Sequence, residues 1–326
     1  MADPRPAPGF ADRMGRIVDD RRGVTFQALR SENLLNRLTG DSMPFGFTVN
    51  PFRGCELGCR YCYARATHEY LGHGDPRAFE ERIYVKEAGT ERLLAGLIRA
   101  RDSGQEVAIG TATDPYQPAE GRFEVTRGVL EVMARVPGLR IGLTTKSTGI
   151  LRDRELLAAI ARTSDLWVNV SLISLDGALL RQLEPRAPRP DLRLDAMRSL
   201  SGRGIRTRLF LMPVLPALTD GEAGLRELLA AALAAGARET ISQALFLRSE
   251  MTWRFFLDFV AREFPWARAR YQRLYPAPGN APRAYREEIE RRVARLALEV
   301  GFPARTREDR VRAEAPARPR QLSLVW

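Results

Sequence analysis

Phe45-Gly46-Phe47-Thr48-Val49-Asn50-Pro51-Phe52-Arg53-Gly54-Cys55-Glu56-Leu57-Gly58-Cys59-Arg60-Tyr61-Cys62-Tyr63 opens as an alternating run and then gathers every cysteine of the chain into one short loop. The alternation and the aromatic and β-branched residues predict a strand over 45–50, with the loop at its carboxyl end. Spacing of Cys-x3-Cys-x2-Cys, with Gly54 and Gly58 freeing the backbone, lets three sulfurs reach one inorganic centre. The chain has no fourth cysteine. A cubane held by three thiolates leaves one iron for a non-protein ligand, and an open iron is a place for chemistry. On these residues alone two other readings stay open: a structural zinc site completed by His68, and buried thiols that bind nothing. A disulfide framework does not fit an odd count at tight spacing in a chain of 326 residues.

From this strand the pattern alternates between short apolar runs and amphipathic helices. Strands are predicted at 107–110, 141–145, 166–172, 207–212 and 240–246, and helices at 64–71, 91–100, 125–136, 153–161, 192–200 and 222–235, with Asp153 as a helix cap. Six strands alternating with helices imply parallel pairing through crossovers. The fold class is α/β, a partial (β/α)6 TIM-type barrel with an N-terminal extension and a C-terminal helical segment. The divisions are 1–44 for the extension, 45–248 for the barrel, 249–303 for the helical segment and 304–326 for a basic tail. The extension reads as a short amphipathic piece carrying Leu29, Leu34, Leu35 and Leu38. Trp253, Phe255, Phe256, Phe259, Phe264 and Trp266 read as core of the segment that covers the barrel's open side.

In such barrels the active site lies at the carboxyl ends of the strands. After the second strand comes Thr111-Ala112-Thr113-Asp114-Pro115-Tyr116-Gln117-Pro118, which is either a ligand loop offering Thr111 and its carbonyls or a plain turn. After the third comes Lys146-Ser147. All but two of the 51 basic residues are arginine, so a lysine here suggests a compact charge facing a carboxylate. Asn169 and Ser171 of the fourth strand share one face. Arg186 and Arg193 follow, able to meet a carboxylate, a phosphate or solvent. Arg53 and Arg60 flank the thiols and are expected to ease a cluster's negative charge.

The strings Asn50-Pro51-Phe52-Arg53-Gly54-Cys55, Thr113-Asp114-Pro115-Tyr116-Gln117-Pro118, Thr145-Lys146-Ser147 and Glu184-Pro185-Arg186 resemble the radical S-adenosylmethionine superfamily, and within it the spore photoproduct lyase-related proteins labelled DNA repair photolyases. The resemblance covers about residues 30–270. It implies a 4Fe-4S cluster on Cys55, Cys59 and Cys62, with S-adenosylmethionine on the open iron. It also implies contacts to that cofactor's carboxylate from Lys146 and Ser171, and Thr111, Asp114 and Arg193 are the other candidate cofactor-binding residues. Tyr61 and Tyr63 flank the third cysteine as the tyrosines of the lyase relay do. Those lyases carry a hydrogen-donor cysteine where this chain has Ala112, which speaks against thymine-dimer repair by that route. An electron donor such as a flavodoxin or ferredoxin is the implied partner.

Net charge is +11 with a pI near 10.2. That favours an anionic partner such as nucleic acid, while the arginine-rich composition also fits coding bias. Arg305, Arg307, Arg310, Arg312, Arg318 and Arg320 make the tail basic. No stretch approaches a membrane span and no secretory leader opens the chain, so a cytoplasmic setting is expected. The expected activity is radical hydrogen abstraction from a substrate, with nucleic acid as one class. The rivals are a nucleic-acid-binding protein with a structural metal, and a radical enzyme acting on a protein or small molecule.

Overall fold

The computed structural model describes residues 13–21, 23–39 and 43–304. Six parallel strands form the centre: β1 (Phe47–Val49), β2 (Glu106–Ile109), β3 (Arg140–Thr145), β4 (Asp165–Ser171), β5 (Arg206–Val214) and β6 (Ala237–Ala244). They pair in chain order, each with the next. A short strand, Leu35–Arg37, adds antiparallel to β1 at the sheet's edge. Between them run α1 (Thr90–Asp102), α2 (Val125–Ala134), α3 (Arg154–Thr163), α4 (Pro190–Ser201) and α5 (Glu222–Ala234). This is the partial (β/α)6 barrel.

The period of two explains which side of each strand carries chemistry. Leu209 and Leu211 of β5 are fully buried with Leu225, Leu228 and Leu229 of α5, while Arg208, Phe210 and Met212 alternate with them and keep partial exposure. Arg208 lies 3.7 Å over the Trp167 ring of β4, so both face the hollow of the sheet. The apolar side binds the helices and the polar side is left for a site.

A second sheet, which the sequence reading did not foresee, lies beside the barrel. Met14–Arg21 and Val24–Arg30 make an antiparallel hairpin, Val24–Arg30 pairs in parallel with Arg82–Glu87, and Phe52–Arg53 closes the far edge. Val24, Phe26 and Ala28 are buried at strand period, a signal that the leucine spacing obscured. Thus the N-terminal residues build a sheet that ends on the cysteine loop itself.

Beyond β6, α6 (Glu250–Glu263) is opened by a reciprocal Ser249–Thr252 capping box, and α7 (Arg283–Val300) lies against α5 and β6. Phe256, Phe259 and Phe264 are core, whereas Trp266 is 67% exposed. Asp153 does not cap α3. Its carboxylate turns inward to Tyr116 at 3.1 Å and Arg127 at 2.6 Å, because a buried phenol and two guanidiniums outbid the helix N–H groups. Among the described residues no helix is long and apolar enough to cross a membrane. The six arginines of the tail lie outside the described residues.

Candidate active site

The cysteine loop leaves the carboxyl end of β1 and is fixed by its two glycines. Gly54 has φ +84°, and a Cβ there would meet the carbonyl oxygens of Arg82 at 2.7 Å and Phe79 at 2.9 Å. The close approach seats the Cys55 N–H on Phe79 O at 2.8 Å. Gly58, at φ +66°, leaves room for the Glu80 carboxylate. That carboxylate pairs with the fully buried Arg65 at 2.9 Å, whose Nε donates to Cys59 O at 3.1 Å.

The loop after β2 clamps the other side. Thr113 Oγ1 and Gln117 Nε2 both donate to Gly54 O, at 2.6 and 3.2 Å, and Gln117 Oε1 accepts from Glu56 N at 2.9 Å. Asn50 ties β1 to the same loop, donating to Thr111 Oγ1 at 3.0 Å and accepting from Ala112 N at 2.7 Å. Asp114 accepts from Tyr116 N, Thr145 Oγ1 and Lys146 N at 2.7–2.9 Å. It therefore fixes the end of β3, with its oxygens already engaged by the protein.

Beside the thiols lies a buried polar network. Lys146 Nζ donates to Ser171 Oγ at 2.6 Å and stands 3.3 Å from Glu184 Oε1. Glu184 also accepts from the Tyr61 hydroxyl and pairs with Arg193, which donates to Ser171 O at 3.0 Å. Burial alone would raise the Glu184 carboxyl, but Arg193 and Lys146 hold it at about 2. Lys146, Arg193 and Tyr61 thus converge on one carboxylate, and Ser171 ties the two cations together. Glu184 was quoted in the sequence strings without a role. Its signal was an acidic residue directly after the buried Leu183 that ends the helix Gly177–Leu183, and directly before Pro185.

The two tyrosines separate. Tyr61 is 6% exposed with its hydroxyl locked on Glu184, whereas Tyr63 is 43% exposed and donates to Thr111 O beside Ala112. The cations acting on the thiols are Lys146 and Arg193 at Cys59, and Arg65 and Lys146 at Cys62. Arg53 instead lies opposite Tyr84 in the second sheet, and Arg60 reaches Glu80 at 3.5 Å.

Cys55 and Cys59 are buried and Cys62 half-buried. Burial pushes all three thiols up, Cys59 to about 12, so loss of their protons would be coupled to binding a metal centre. His68 is fully buried, with Nε2 on Arg82 O at 3.0 Å and its ring against Phe79. That nitrogen is committed away from a zinc site. Among the described residues no three His, Cys, Asp or Glu side chains form a group suited to a single metal ion. The donor set, three thiols and no fourth, fits a cluster with one iron left open.

Residues 49–229 match the Radical SAM superfamily. The chain is 35% identical over 303 residues to uncharacterized protein Rv2578c of Mycobacterium tuberculosis, spanning 93% of this chain and 88% of that one. It is 30% identical over 176 residues to uncharacterized protein MJ0683 of Methanocaldococcus jannaschii, spanning 54% and 63%. Among solved structures, a spore photoproduct lyase complexed with dinucleoside spore photoproduct superposes with a TM-score of 0.61 at 17% identity, covering 85% of this chain and 80% of that one.

Proposed function

The chain belongs to the radical SAM superfamily and is a radical SAM enzyme, and on that premise we propose that Cys55, Cys59 and Cys62 hold a 4Fe-4S cluster whose open iron takes S-adenosylmethionine. When bound and reduced, that pair supplies a 5'-deoxyadenosyl radical, with release of methionine, to abstract substrate hydrogen. The reducing electron comes from a flavodoxin- or ferredoxin-type protein. The observation that carries the reading is the convergence of the three-cysteine loop with the Lys146–Ser171–Glu184–Arg193 network at the strand ends.

In this reading Lys146 and Ser171 hold the methionyl carboxylate, Lys146 as the point charge and Ser171 as a hydroxyl partner. Arg193 braces both through Ser171 O and Glu184. Asp114 positions the Lys146 backbone, and Thr111, tied to Asn50, shapes the neighbouring wall. Tyr63 is the accessible phenol. Its hydroxyl donates to Thr111 O, next to Ala112, where no thiol is available. Tyr61 holds the thiol loop to its carboxylate base.

For the substrate we favour nucleic acid, on the +11 charge and on the fold shared with a lyase whose structure contains a dinucleoside. Anaerobic reconstitution, reduction with dithionite and addition of S-adenosylmethionine should yield 5'-deoxyadenosine by mass. Cys59→Ala should abolish both cluster and product. A zinc-filled site that rejects iron, or full cluster retention in Cys59→Ala, would overturn the assignment. Salt-sensitive retention on DNA or RNA is expected, and its absence would move the substrate to a protein or small molecule.

A further inference from the structure

Inside the barrel, below the residues assigned to the cofactor, lies a polar layer that the proposed chemistry leaves unused. Register places Thr144 of β3, Asn169 of β4, Arg208 of β5 and Glu239 of β6 side by side. Asn169 shares its face of β4 with Ser171, about 7 Å further along the strand, so the layer lies beneath the Lys146–Ser171 pair. Barrel interiors are filled mostly by branched apolar side chains. An amide and a charge pair in their place carry a cost unless their polar groups are answered.

Two of those groups are unanswered among the described residues. Asn169 is 7% exposed; its Nδ2 donates to Thr144 Oγ1 at 3.1 Å, and its Oδ1 is buried with no partner. Arg208 gives its Nε to Glu239 at 2.8 Å, and its Nη groups make no hydrogen bond. The layer therefore offers an acceptor and a pair of donors on adjacent strands, roughly 4.8 Å apart. Its electrostatics suit a neutral ligand: Glu239 and Glu106 both act on the Arg208 guanidinium, which leaves no excess positive charge for a phosphate. Phe210, beside Ser171 and two residues along from Arg208 on the same face, brings an apolar ring to the site. Arg208, Phe210 and Met212 all keep partial exposure, so the hollow is open rather than packed.

We propose that Asn169 and Arg208 form the floor of the substrate pocket and read the edge of an unstacked nucleobase. Arg208 donates to a ring carbonyl, Asn169 Oδ1 accepts from the ring N–H beside it, and Phe210 lies against the ring face. Thymine, uracil and guanine present that edge, whereas adenine has no carbonyl and cytosine no ring N–H. The proposal rests on the reading of the strand ends as a radical site for nucleic acid, and adds which part of the substrate enters.

Fluorescence anisotropy with short labelled single strands tests it, each strand being adenine throughout except for a central thymine, guanine, adenine or abasic residue. The reconstituted full chain should bind the thymine and guanine strands about tenfold tighter than the other two, the worth of one edge-on pair. Asn169→Leu keeps the side chain's size and should remove most of that difference, while the abasic affinity and its salt slope stay as they were. Arg208→Lys keeps a cation for Glu239 but loses the fork, and should act in the same way. Thermal unfolding checks both variants, so a folding failure in one leaves the other as the test. Equal affinity for base-bearing and abasic strands in the wild type, a preference for adenine, or an unchanged preference in a folded variant would overturn the proposal. Failure to retain any strand would overturn it too. Iron content is read on the same samples: a chain that takes up no cluster yet keeps the base preference sinks the radical reading and leaves this one standing.

Discussion

Glu184 shows how much a single buried carboxylate can organise. It carries contacts from Tyr61, Lys146 and Arg193, so Glu184→Gln removes the charge and keeps the shape. The expected result is a fall in kcat/KM of tenfold or more, about the worth of one buried charged contact, with the cluster still assembling. Lys146→Met should raise KM for S-adenosylmethionine about tenfold while leaving iron content unchanged. His68 tests the opposite role. Burial lowers its imidazole to about 3, so the folded state keeps it neutral while the unfolded chain takes a proton near 6.5. Stability should therefore fall as pH drops from about 6.5 towards 3. In His68→Gln that slope should flatten, read by urea unfolding of the apoprotein, and iron loading should persist. Iron lost in proportion to His68 would revive it as a ligand.

At the scale of elements, the cysteine loop depends on two sheets at once. Its start is a strand of the second sheet, its base follows β1, and its flank is clamped by the loop after β2. Gly54→Ala would press a methyl into two carbonyls at a positive φ, costing about 2 kcal/mol or more. Cluster content should fall with stability, as iron analysis and thermal unfolding would show. Gly74→Ala is the control, because a Cβ there meets nothing within 4 Å.

Over the whole molecule, the basic excess is spread across a body where many arginines already pair. Arg127, Arg152, Arg193 and Arg208 each have a carboxylate within hydrogen-bond reach, and such charges add little to binding a polyanion. The term left for nucleic acid comes from cations without such a partner. Retention on heparin or oligonucleotides should weaken steeply with salt. Retention indifferent to salt would remove the electrostatic argument for nucleic acid.

Sequence alone determined the cysteine loop, the six-strand alternation and the strand-end positions of Lys146 and Ser171, because each is a local property: a spacing, a period, or the residue after a strand. It could show Tyr61 and Tyr63 as equal neighbours, and the extension as leucine-bearing chain. Tertiary structure decided the rest. Glu184 is 123 residues from Tyr61 and 38 from Lys146, so the carboxylate that locks one tyrosine and leaves the other exposed is invisible until β3, β4 and the helix before Glu184 are brought together. The hairpin at 14–30 finds its partner only when Arg82–Glu87 lies down beside it. Burial sets the environment of each charged group, and burial is a property of the folded whole.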